Sequence, residues 1–96
     1  MMTCEISAAV LGNSEGEVLV AELPADTPPG FRVVGRMDFR DGQCVAKSAE
    51  QTMEAVCMMA AAVESFAQLV AARLRERNDY RAWRQRLLAM PDVLAN

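Results

Sequence analysis

Apolar and polar residues alternate over Cys4–Leu11, with Cys4, Ile6, Ala8 and Val10 on one side and Glu5 and Ser7 on the other. That two-residue period predicts a strand with one buried face. Gly12-Asn13-Ser14-Glu15-Gly16 then reads as a turn, because Gly and Asn tolerate positive φ. Val18, Leu19, Val20, Ala21 and Leu23 form a second strand, expected to pair with the first as a hairpin. The segment Pro24-Ala25-Asp26-Thr27-Pro28-Pro29-Gly30 is a loop, since its prolines remove backbone donors and fix φ. Alternation resumes from Phe31 to Phe39, placing Phe31, Val33, Met37 and Phe39 on one face and Arg32, Arg36 and Asp38 on the other. Asp41-Gly42 suits a type I′ turn, and Gln43 to Lys47 return as a fourth strand.

At Ser48 the period changes. Ser48-Ala49-Glu50-Gln51 matches a capping box, in which the serine hydroxyl accepts from the N3 amide and Gln51 reaches back. Glu50 and Glu54 then fall near a helix N-terminus, where negative charge favours the macrodipole. Met53, Val56, Ala60, Val63, Ala67, Val70 and Leu74 repeat at alternating three- and four-residue steps, and Met59 and Phe66 widen this seam. A long helix over 48–78 is predicted. Residues 49–77 at ~1.5 Å each extend about 43 Å, roughly twice the span of a short strand. Beyond Leu74 the seam falls on Arg77, Arg81 and Arg84, while the apolar residues are Tyr80, Trp83, Leu87 and Met90. One straight helix cannot set both groups against one sheet. A break is therefore expected near Asn78-Asp79, with Asp79 capping a second helix over 79–90 and a tail over 91–96; the alternative is an unbroken extension.

Together these elements predict one α+β domain over 1–96. Two hairpins (1–47) form an antiparallel sheet of about four strands against the long helix, with a short C-terminal helix added. Composition fits this, with 52% hydrophobic and 24% charged residues. The only aromatics are Phe31, Phe39, Phe66, Tyr80 and Trp83, so core volume falls to aliphatic residues and to seven methionines. Cys4, Cys44 and Cys57 make no CxxC pair and are expected to be reduced and buried in a cytoplasmic protein. The first ten residues have no basic start, which predicts no secretory leader. No run of 18 apolar residues occurs, which predicts no membrane-spanning helix.

Chemistry narrows the function by exclusion. With no histidine, the commonest general base and metal ligand is missing, and neither GxGxxG nor GxxxxGK[ST] occurs. Glu50 and Glu54 read as first-turn charges rather than an acid–base pair. The expectation is a non-enzyme with no metal or cofactor. A net charge of −3 counts against nucleic acid as the main partner. The local exception is a basic run, Arg73, Arg75, Arg77, Arg81, Arg84 and Arg86. On a continuous helix Arg73, Arg77, Arg81 and Arg84 lie within about 80° of arc, beside Tyr80. This is either a solvated helix face or a surface for carboxylates or phosphates. Trp83 and Tyr80 pack a second helix or anchor an interface. The candidate partner-binding residues are Arg73, Arg77, Tyr80, Arg81, Trp83 and Arg84.

One resemblance follows from Gly35-Arg36-Met37-Asp38-Phe39-Arg40-Asp41-Gly42, a helix start bearing Glu50, Thr52, Glu54 and Ala55, and Arg77-Asn78-Asp79 at the helix end. Over residues 33–81 the chain resembles small phage or mobile-element inhibitor proteins of the type I anti-CRISPR kind. The resemblance implies a non-enzymatic inhibitor that occupies a surface of a CRISPR surveillance complex. It also implies an acidic patch, for which Glu15, Glu17, Glu22 and Asp26 are available, whereas the arginine-rich C-terminal segment departs from that pattern. The functional expectation is a protein-binding module. The alternatives are a homo-oligomer assembled through the Met53–Leu74 seam and a nucleic-acid binder using the arginines.

Overall fold

The computed structural model describes residues 5–76. Its elements are β1 (Ile6–Asn13), β2 (Val18–Glu22), β3 (Phe31–Arg40), β4 (Gln43–Ser48) and one helix, α1 (Met53–Glu76). The strands form a single antiparallel sheet in the order β2-β1-β3-β4, against which α1 packs. This is the α+β architecture that the alternation and the helical period predict. Helix 79–90 and the break at Asn78 lie outside the described residues.

Each turn follows from its residues. Asn13 Oδ1 accepts from the amides of Glu15 (3.0 Å) and Glu17 (2.9 Å), and Gly16 supplies the positive φ of 82° that closes the first hairpin. At the second hairpin Asp41 and Gly42 adopt φ of 51° and 78°, the pair of left-handed residues a type I′ turn requires. The prolyl loop over 24–30 carries the chain from β2 at one edge to β3 beside β1, so the two hairpins lie side by side and join through β1 and β3 rather than through β2 and β3.

One irregularity reverses an expected face. Val10 stands opposite Gly35 and Leu11 opposite Val33, leaving Val34 as an extra residue in β3. Such a bulge shifts the phase of every residue on one side of it. Val33 is therefore 45% exposed on the outer face instead of joining Met37 and Phe39, while Val34 is fully buried. Arg32 correspondingly moves to the helix side. Its guanidinium donates to both oxygens of Glu50 (2.7 and 3.2 Å) and lies 3.8 Å from Glu54.

The core combines Ile6, Ala8, Val10, Val34 and Met37 of the sheet with Ala55, Met58, Met59, Ala62, Phe66 and Val70 of α1. Two glycines let the helix approach. A Cβ on Gly12 would overlap the Met58 sulfur, and one on Gly35 would overlap the Met59 sulfur and lie 2.7 Å from the Lys47 carbonyl oxygen. Met58 therefore points to the β1–β2 side and Met59 to the β3–β4 side. The expected seam is corrected by this packing: Met53, Val56, Ala60, Val63 and Ala67 are exposed, and only Val70 and Leu74 of that series turn towards the core. Nor does Ser48 cap the helix. It ends β4 and donates to the Glu50 carbonyl at 2.5 Å, while Thr52 Oγ1 accepts from the Ala55 amide at 3.1 Å and is the N-cap.

Ion pairs hold both ends of α1 to the sheet. Arg32 with Glu50 and Glu54 ties the start, and Arg73 ties the last turns to Glu22 of β2 at 2.5 Å and to Glu76 at 2.6 Å. The helix spans about 36 Å at 1.5 Å per residue. Although no 18-residue run is wholly apolar, an 18-residue window of α1 reaches a mean hydropathy of 1.7, so by length and composition alone the helix could cross a membrane. That hydropathy arises because both its sheet-facing and its outward faces are apolar.

Candidate functional site

Two surfaces carry side chains that the fold does not fully use. The first is the outer sheet face, where Glu5, Ser7, Arg36, Asp38, Arg40, Gln43, Val45 and Lys47 help line an open groove of about 370 Å³. Ser7 Oγ donates to Asp38 Oδ1 at 2.5 Å, and Arg36 donates to Asp38 at 3.0 Å and to Ser7 Oγ at 3.2 Å. The Arg36 hydrogen bond, followed by that from Ser7, holds the Asp38 carboxyl below its usual range. A carboxylate so stabilised is a poor base for the serine, and Arg36 donates to the same hydroxyl oxygen. Arg40 is likewise occupied, 3.1 Å from Glu5. The cluster reads as a self-satisfied polar face. Among the described residues no group of three His, Cys, Asp or Glu side chains is placed to hold a metal ion.

The second surface runs along α1 and over β4. Met53 is 77% exposed, Val56 53% and Val63 57%, with Ala60 and Ala67 exposed between and beyond them. Val56 and Val63 are the i−3 and i+4 neighbours of Met59, so they flank it on the outer side. Because Met59 sits against Gly35 and the Lys47 carbonyl, this valine flank faces the β4 side of the sheet. There the helix leaves the floor open. Cys44 and Ala46 pair with Phe39 and Met37 and so share the helix-facing side of the sheet, yet both are exposed. Cys44 and Cys57 are free, exposed thiols, which corrects the expectation of buried cysteines; Cys4 lies outside the described residues. The result is an apolar strip with a wall of Val56 and Val63 and a floor of Cys44 and Ala46.

The sequence-derived candidates separate. Arg73 is half-buried and engaged by Glu22 and Glu76, so within the described residues it is a clamp between helix and sheet. Both carboxylates raise its pKa further above the ordinary arginine value, the Glu22 hydrogen bond most. Arg77, Tyr80, Arg81, Trp83 and Arg84 lie outside the described residues. Of the expected acidic patch, Glu22 serves that clamp and Glu17 accepts from Asn13 Nδ2 at 3.1 Å. Glu50 and Glu54 do not form an acid–base pair on the helix: Glu50 precedes α1, and both face Arg32, whose hydrogen bond holds the Glu50 carboxyl below its usual range. Sequence reasoning assigned the same residues to the core or, as an alternative, to a seam between subunits, and in neither reading set them beside β4. The available signal was the second apolar series, Ala55-Met58-Met59-Ala62-Phe66, which supplies the larger methionine and phenylalanine knobs.

No protein-family model matches the chain, and neither a curated protein nor a solved structure does.

Proposed function

We propose that the chain is a non-enzymatic protein-binding module whose docking surface is the apolar strip between α1 and β4. The observation that carries this reading is the exposure of Met53, Val56 and Val63 on one helix whose neighbouring face already fills the core. Valines scattered singly on a surface need no explanation, but a row of them beside an uncovered sheet floor is the composition of an association site. The two exposed, unpaired thiols suit a reducing compartment, and a cytoplasmic setting is part of the proposal. The homo-oligomeric alternative keeps five of its seven seam residues, because Val70 and Leu74 turn to the core. Inhibition of a defence complex rests on the resemblance alone.

The experiment compares wild type with Val56→Glu/Val63→Glu in capture of proteins from the native host, with circular dichroism as the folding control. Both positions are exposed, so the variant should melt like wild type. Removing a buried valine contact forfeits about 1.5–3 kcal/mol, so capture should weaken about 10- to 100-fold. Undiminished capture by the double variant refutes the strip as the docking surface.

A further inference from the structure

The strip ends at a free strand edge, and that edge is self-complementary. In a two-residue hairpin the residues flanking the turn exchange both backbone bonds, so Gln43, Val45 and Lys47 bond to β3. Cys44 and Ala46 then turn their N–H and C=O groups outward, and all six residues of β4 are exposed. An edge of this kind is a template for another strand unless it is protected. Its ends carry opposite charges: Asp41 and Lys47 form no ion pair with any described residue, whereas Arg32, Arg36, Arg40 and Arg73 all do.

We propose that two copies of the chain pair antiparallel through β4, with Val45 opposite its own copy, making one continuous eight-stranded sheet. Parity, charge and overlap together fix the register, since centring on Cys44 would pair only three residues of β4. Residues directly opposite each other must point to the same face, so Cys44 meets Ala46 or its own copy, never Val45. Centring on Ala46 sets Lys47 diagonal to the second Lys47. Centring on Val45 instead sets each Lys47 diagonal to the second copy's Asp41, and keeps five strand residues in register. A two-fold axis through Val45 leaves both α1 helices on one side of the joined sheet. Five strand spacings then separate the two β1 strands, about 24 Å, and subtracting a helix diameter leaves a trough roughly 14 Å wide. Its walls are Val56 and Val63 of each copy and its floor is Cys44 and Ala46 of both. This deepens the binding-module reading and rests on it: the apolar strip becomes one half of a site that is complete only in the dimer.

The test uses the full chain and measures mass by light scattering over a concentration range. In a background of Cys4→Ser, Cys44→Ser and Cys57→Ser, Val45→Cys should form a disulfide-linked dimer under mild oxidation. Its two copies form a non-hydrogen-bonded pair with Cα atoms about 4.5 Å apart, within disulfide reach. Leu19→Cys, on β2 at the opposite edge, should stay free of the disulfide cross-link while keeping the dimer mass. Ala46→Pro removes an outward N–H without breaking the β3 ladder, so it should keep its circular dichroism and lose the dimer. A monomeric wild type together with an unlinked Val45→Cys overturns the pairing. If such a monomer still captures a host protein through Val56 and Val63, the binding-module reading stands without it. A dimer that survives Ala46→Pro and leaves Val45→Cys unlinked overturns the β4 register.

Discussion

Gly35→Ala is expected to destabilise the fold far more than Gly12→Ala, although both glycines face α1 from central strands. At Gly12 the obstacles to a methyl group are side-chain atoms: the mobile end of Met58, with its terminal carbon at 3.1 Å, and a Val34 methyl at 3.3 Å. Met58 can rotate away, and alanine restricts the unfolded chain enough to return about 0.4–1 kcal/mol. At Gly35 the methyl meets the Met59 sulfur and, at 2.7 Å, the Lys47 carbonyl oxygen, which belongs to the β4 backbone. Backbone cannot swing aside without opening the β3–β4 ladder. Overpacking of this kind costs about 1–3 kcal/mol, a large share of a stability of about 5–15 kcal/mol. With about 4–8 °C lost per kcal/mol in a domain of this size, Gly35→Ala should melt roughly 5–20 °C below wild type, and Gly12→Ala within a few degrees of it. Thermal and urea unfolding followed by circular dichroism measure both. A Gly35→Ala that melts with wild type, or with Gly12→Ala, would refute the close approach of Met59 and β4 from which the orientation of the apolar strip is derived.

Helix phase gives a second contrast: Phe66→Ala should cost about 3–5 kcal/mol in urea unfolding, whereas Val63→Ala, three residues away on the exposed flank, should stay within about 0.5 kcal/mol. If the two costs come out alike, the assigned faces of α1 are wrong. Thr52→Ala should lose about 1 kcal/mol as the true N-cap, and Ser48→Ala clearly less, because the short Ser48 bond goes to the exposed Glu50 carbonyl before the helix; the reverse order would restore the capping box. Acid should weaken the fold through Asp38 and Glu50. Arg36, then Ser7, holds the first below its usual range and Arg32 the second, so the unfolded chain takes up protons before the folded chain does. Their contribution is therefore complete above about pH 5 and is lost as the pH falls through the lowered folded values. The urea midpoint of Asp38→Asn/Glu50→Gln should fall less steeply over that window than that of wild type, and an unchanged slope would exclude these carboxylates as its source.

The fold was legible in the sequence wherever one local rule decided the outcome. Alternation marked β1 and β3, an apolar run marked β2, three prolines fixed the loop before β3, and Asp41-Gly42 specified the tight turn that returns β4. Each of these depends on residues close in the chain. The failures share the opposite property. Nothing local in Phe31–Arg36 announces that Val34 is the extra residue of a bulge, since the slip exists only in the pairing with Val10 and Leu11, and it alone brings Arg32 round to Glu50. Capping failed for a related reason: Ser48 and Thr52 are both competent caps, and the length of β4 decides between them. The helix is the sharpest case. Its apolar residues form two stripes, one regular and small-to-medium (Met53, Val56, Ala60, Val63, Ala67), the other irregular and bulky (Met58, Met59, Phe66). Periodicity favours the first, but the sheet selects the second, because Gly12 and Gly35 open spaces that only long, flexible side chains fill. Once Met58 and Met59 occupy those spaces the regular stripe has no place in the monomer's core. On the proposed reading that stripe serves a docking partner, and so the same phase error that misplaced the core is what exposes the candidate site.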